Sequence, residues 1–162
     1  MAIMTFEAMM KFRRQYRDGI STSYSGWLHM LSVLAVGLAV ISDALSQLQS
    51  ATLLEWLTFP VVIVLVNFAE YYAHRWLGHR KTQYGKLFYS RHTGDHHSFF
   101  LENAMAYESV RDWRVVLFPL YLIFAFIFGL IFPVAYLLNE WVGMNVACIY
   151  AAAAISGYLL YE

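Results

Sequence analysis

The chain has 162 residues, of which 60% are hydrophobic, 18% aromatic and only 14% charged, an apolar share above that of an ordinary soluble domain and suited to a bilayer. Eleven Lys and Arg balance eleven Asp and Glu, so no overall basic field argues for nucleic acid or general anion capture. Cys148 is the single cysteine, which excludes an internal disulfide framework and a cysteine-based metal cluster.

Residues 1–24 carry Phe6, Met9, Met10 and Phe12 among Lys11, Arg13, Arg14 and Arg17, the mix of a short amphipathic helix lying on a membrane surface. A basic tail is the plainer alternative. From Gly26 the chain turns apolar to about residue 45, too long for a signal-peptide core and without a small-x-small cleavage site. It is read as a retained first membrane span, near 26–45, long enough to cross ~30 Å of hydrocarbon.

A polar link leads to a second apolar stretch near 53–76, too long for a strand, with Pro60 as a kink that a membrane helix tolerates. The one extended polar region follows, roughly residues 75–114. Two further spans are expected near 115–138, with Pro119 and Pro133 toward its ends, and near 143–161. In the last, Gly143, Ala147 and Ala151 recur every four residues and offer a small-residue face for close packing. The expected fold is therefore all-α, an integral-membrane helical bundle of about four transmembrane helices. Residues 25–162 form its membrane domain and residues 1–24 an N-terminal cytoplasmic segment.

The charges give the orientation. All eleven Lys and Arg fall before the first span or between the second and third, which places the N-terminus and the central polar region in the cytoplasm. Trp27, Trp56, Trp76, Trp113 and Trp141 fall near span ends, where interfacial aromatic anchors belong.

Five of the six histidines lie between His74 and His97. They read H-x4-H, His74 and His79, followed by H-x3-H-H, His92, His96 and His97. Neutral imidazole is a good ligand for iron, zinc, copper and nickel, and residues four or five apart on a helix can converge. His92 and His96, at i and i+4, suit one ion, and His97, about 100° round the helix, a second. Asn67 and Glu70 precede His74 at a 3,4 spacing and give the second span a polar stripe, a functional candidate within a membrane. They and Asp95 are candidates for supporting the ligands. His29 is read as a packing residue, and Arg75, Arg80, Lys81, Lys86 and Arg91 as headgroup contacts or topology signals.

These motifs resemble the fatty acid hydroxylase and sterol desaturase superfamily of integral-membrane di-iron enzymes. The similarity runs through residues 24–29 (YSGWLH), 70–75 (EYYAHR), 91–100 (RHTGDHHSFF) and 111–119 (RDWRVVLFP), with the two histidine boxes as its specific part. It implies an oxygen-dependent lipid hydroxylase or desaturase acting on a fatty acyl or sterol carbon. The implied ligands are His74, His79, His92, His96 and His97, holding two irons in the complete site, with zinc as a possible substitute. A cytoplasmic redox carrier is implied as the electron source, since the sequence carries no flavin, haem-attachment or iron–sulfur signature. The family pattern also implies a further histidine box after the fourth span, and no histidine follows His97. The expectation is a C-terminally truncated member that does not complete the di-iron centre alone. The alternatives are a membrane haem or metal-binding electron-transfer protein, a membrane zinc hydrolase, for which no H-E-x-x-H is present, and an inactive relic.

Overall fold

The computed structural model describes residues 5–162; the first four positions of the expected N-terminal segment lie outside the described residues. Every extended element is helical, and the described residues contain no strand beyond an isolated bridge between Leu101 and Ala104. Four helical stretches are long and apolar enough to cross a membrane: Gly26–Ser46, Leu53–Gly78, Val110–Trp141 and Met144–Tyr161. An all-α membrane bundle is the fold, as composition and span lengths require.

The chain divides into two compact units, Met1–His29 with Tyr71–Leu117, and Met30–Glu70 with Phe118–Glu162. The second is the apolar one. Its hub is α10 (Met144–Tyr161), which has no polar face and is buried almost all round, through Ala147, Cys148, Ile149, Ala151 to Ala154 and Ile155. Half of its apolar stretch is buried, against 6% in Leu53–Gly78, so the latter turns Val61, Val64, Leu65 and Phe68 outward. Such faces are apolar surface that only lipid or another apolar partner solvates cheaply. Small residues let α10 take this place. Gly157 meets Val66 so closely that a Cβ would lie 2.6 Å from its Cγ1. The expected small-residue face is thus wider than one row of fourths. Gly143 takes no part in it: it stands before the helix with φ +139, a conformation that favours glycine.

Prolines place the breaks. The second span is two pieces, α3 (Leu53–Trp56) and α4 (Thr58–Tyr72), parted at Leu57. Pro60 then falls in the first turn of α4, where no intrahelical donor is needed. Thr52 and Glu55 cap α3 reciprocally, and Asn145 at the start of α10 bonds Gln49 and Glu55. The third stretch, Val110–Trp141, covers the expected 115–138 and is broken near its start. A short α7 (Trp113–Val116) ends at Leu117, which is extended (φ −65, ψ 140) two residues before Pro119, and α8 (Tyr121–Phe126) begins beyond it. A proline disfavours helical geometry in the residue before it and cannot donate back along a helix. Pro133 does not end its span; it lies inside α9 (Phe132–Trp141), directly after a π-helical turn at Ile127–Ile131.

The first unit carries α1 (Phe6–Asp18), capped by Thr5, whose hydroxyl accepts from the Ala8 amide. The expected amphipathic helix forms, but two of its cations do not face outward. Arg13 is only 4% exposed and Arg17 pairs with the wholly buried Asp112 at 2.9 Å. The apolar stem of an arginine and its fork of donors suit such a place when carbonyls or carboxylates receive them. Arg91, read from sequence as a headgroup contact, is likewise turned inward and is bonded by Tyr16, Asp95 and the Arg114 carbonyl. At the start of α2 (Gly26–Ser46), Gly26 touches the backbone of Val110 so tightly that no Cβ would fit.

Candidate metal centre

The five clustered histidines all belong to the first unit. His74 sits in a π-helical segment, π1 (Ala73–Gly78), that continues α4, and His79 is the residue that ends it. After the exposed loop at 80–84 and α5 (Lys86–Tyr89), a second π-helical segment, π2 (Ser90–His96), carries His92 and His96, and His97 opens the short α6 (His97–Phe99).

This π geometry adds pairs at intervals of five to the expected pair at four. On an α-helix residues five apart point about 140° away from each other, because each residue turns about 100°. In a π-helix the hydrogen bond runs from i to i+5, and positions five apart come onto the same side as positions four apart. The His97 amide donates to the His92 carbonyl in that pattern. His92 therefore pairs with His97, their Nε2 atoms 3.2 Å apart, and His74 pairs with His79 in the same way at 3.2 Å. His96, the expected i+4 partner, instead lays its ring against His92 with centroids 5.6 Å apart and planes 12° from parallel, and packs against Phe100.

The two pairs meet. His92 Nε2 stands 3.3 Å from His79 Nε2, so the four Nε2 atoms run in a chain from His74 through His79 and His92 to His97. Ligand atoms of His74, His79 and His92 all lie within 4.8 Å of one another. Two imidazole nitrogens bound at ~2.1 Å to one ion are about 3.0 Å apart at a right angle and about 3.4 Å apart at the tetrahedral angle. The three observed separations fall between these values. Protons alone satisfy the chain poorly, since a neutral imidazole has one N–H and the His92 Nε2 proton would have to serve both His79 and His97. A cation shared by His74, His79 and His92 would satisfy the three nitrogens that lie closest together. The donor set fits a first-row transition metal.

Burial sets the electrostatics. His92 is pushed down to about 4, first by burial and then by the neighbouring imidazoles, and His96 and His97 are lowered for the same leading reason. At neutral pH these rings are unprotonated, the form that binds metal.

Close packing positions the rings. Gly78 is buried directly beneath His92, and a Cβ there would stand 2.8 Å from His92 Cδ2. Thr93 donates its hydroxyl to the Gly78 carbonyl, tying π2 to π1. Phe88 stacks on His92 at 6.1 Å and also borders Gly78. His74, His79 and His97 are exposed, so the cluster opens on one side.

No family model, curated protein or solved structure matches the chain. What the site can do therefore rests on its own geometry.

Asp95 accepts from Arg91 at 3.0 Å. Asn67 and Glu70 lie on α4, seven and four residues before His74, the first exposed and the second half-buried. His29 is buried with Nδ1 3.0 Å from the Tyr24 hydroxyl, in keeping with a packing role. Sequence reasoning missed Gly78 and Thr93. The signal available for the π turns was the repeated interval of five, 74 to 79 and 92 to 97, which an α-helix cannot bring to one point.

Proposed function

We propose that this chain is the metal-binding membrane portion of an oxygen-dependent lipid hydroxylase or desaturase, of the fatty acid hydroxylase and sterol desaturase type. The observation that carries the reading is the chain of four Nε2 atoms at 3.2, 3.3 and 3.2 Å, built from both histidine boxes. His74, His79 and His92 would hold the first ion, with His97 next to them in the chain. His96 is the fifth imidazole, and a second iron would need donors beyond these five. When bound, a di-iron unit supplies oxygen-dependent oxidation of an unactivated C–H bond, chemistry that side chains lack.

The residues' own work is to bind and to orient. Neutral imidazoles offer nitrogen lone pairs, Thr93 and Gly78 keep π1 and π2 in contact, and the open side beside His74, His79 and His97 leaves approach for a lipid carbon and for further ligands. We assign the histidine region to the cytoplasmic side on the distribution of Lys and Arg, with a multi-pass topology through the four apolar stretches. Electrons would come from a cytoplasmic redox carrier, for which exposed Arg75, Arg80, Lys81 and Lys86 offer a basic approach. A bis-histidine haem is disfavoured, because its axial nitrogens stand on opposite faces of one macrocycle and these nitrogens crowd together on one side.

The test is metal content together with oxygen-dependent lipid oxidation. The chain, purified in detergent after growth with iron and reloaded anaerobically, is expected to hold close to one tightly bound ion, and His79→Ala to lower its affinity by about 10- to 100-fold or more. A wild-type chain that takes up neither iron, cobalt nor zinc would sink the reading. Bound metal without any oxidised lipid, even with a reductant and candidate lipids supplied, would remove the enzymatic half alone.

A further inference from the structure

The second unit contains a hollow of about 230 Å³ between α2, α9 and α10. Small buried residues, Ala44, Ala147 and Ala151, form its floor beside the Cys148 thiol, and Phe132 and Met144 also line it. Four groups able to hydrogen-bond complete the lining: Asp43 and Gln47 at the end of α2, and Tyr136 and Asn139 toward the end of α9. Because α2 stops at Ser46, α9 stops at Trp141 and α10 starts at Met144, this polar rim lies where three apolar helices reach their ends. That is the level at which hydrocarbon gives way to headgroups. An apolar floor beneath a few polar groups is the build of a small-molecule site. Pockets that enclose a whole ligand measure ~300–1,000 Å³, so this smaller one suits a head and the first part of one chain, with the rest of the chain in the bilayer.

The rim selects the head. Asp43 is exposed and accepts from Gln47 Nε2 at 2.9 Å, and among the described residues no cation pairs with it. The adjoining links, 47–52 and 142–143, contain no Lys or Arg. A phosphate, sulfate or carboxylate head would therefore meet a like charge with nothing to offset it. An ammonium head only donates, which gives the Tyr136 hydroxyl and the Asn139 amide nothing to donate to. A hydroxyl does both: it can donate to the Asp43 carboxylate and accept from Asn139 or Tyr136.

We propose that the hollow between α2, α9 and α10 binds a single-chain lipid with a hydroxyl head, the head held at Asp43 and Asn139 and the chain entering over Ala44, Ala147 and Ala151. The site uses none of the histidines, so it stands or falls apart from the metal reading.

The probe is hexadecanol with a photoactivatable diazirine on its chain, added to the full chain in phosphatidylcholine nanodiscs, with the crosslinks mapped by peptide mass spectrometry. Labelling is expected to saturate, to concentrate on Phe132, Met144 and Cys148, and to be competed by plain hexadecanol. Hexadecyl sulfate should compete about tenfold less well, because its charge faces Asp43. Asp43→Asn keeps an acceptor and removes the charge, so hexadecyl sulfate should there regain most of that tenfold, a change of selectivity that a packing role for Asp43 would not produce. Ala135→Leu puts a larger side chain into the lining and should cut labelling by about tenfold. Circular dichroism verifies that helix is retained, and the wild-type selectivity decides the proposal if either variant does not fold. Crosslinks spread over every outward-facing helix, or equal competition by alcohol and sulfate in the wild-type chain, would overturn the site. Hexadecylamine competing better than hexadecanol would overturn the hydroxyl head.

Discussion

A methyl group at residue 78 would stand 2.8 Å from His92 Cδ2 and 3.3 Å from Phe88 Cε1, and the His92 ring, stacked against His96 and Phe88, has little room to give. Gly78→Ala is therefore expected to displace a ligand ring without removing any ligand. Metal affinity should fall by about 10- to 100-fold while helix content stays unchanged, read by metal titration and circular dichroism. His92 also dictates a pH response. Unfolded, it takes its proton near 6.5; folded, only near about 4. Between those values the unfolded chain binds more protons and is favoured as pH falls. The metal-free protein should lose stability from about pH 6.5 down to about pH 4, with no further loss from this group below, and gain nothing from it above neutrality. Thermal unfolding of chelator-treated protein at several pH values in that window, compared with His92→Gln, checks the sign: the variant's curve should be flatter.

At the scale of elements, apolar spans and α1 were legible because composition and periodicity report them. Which side of α1 faces the protein was not. Its cations read as surface charge, yet Arg17 forks onto both oxygens of the wholly buried Asp112 at 2.9 Å and reaches Glu108 at 2.8 Å. Asp112 also accepts from the Glu108 and Ser109 amides, so it organises the turn that leads into α7. Removing the partner of a fully buried carboxylate costs ~3–5 kcal/mol; with Arg17 24% exposed, Arg17→Met is expected to cost about 2 kcal/mol. Urea unfolding of the full chain followed by tryptophan fluorescence, to which Trp27 and Trp113, in edge contact at 4.8 Å, contribute, measures it. The same limit hid the π turns. The interval of five between His74 and His79, and again between His92 and His97, stood in the sequence, but local propensity favours the α register, and the Thr93–Gly78 bond that ties the two π segments together joins residues fifteen apart.

For the whole molecule, outward-facing apolar residues on four long helices mark a membrane protein, and topology is where a simple measurement bears hardest. The loop around Tyr84, itself 98% exposed, presents Arg80, Lys81 and Lys86 to solvent, an accessible site for trypsin. If the histidine region is cytoplasmic, inverted membrane vesicles should be nicked there and right-side-out vesicles protected; the reverse pattern would overturn the orientation. Bilayer residence, four apolar helices and a histidine cluster of metal-binding type followed from the sequence alone, because hydrophobic length and ligand chemistry are local properties. Only the tertiary structure decided that His97 brings its Nε2 to that of His92, that Arg13, Arg17 and Arg91 turn inward, and that α10 is the hub of its unit. Those outcomes depend on which surfaces meet: a strained turn, a buried charge and an all-apolar helix each exist only where distant residues supply the partners that local sequence cannot.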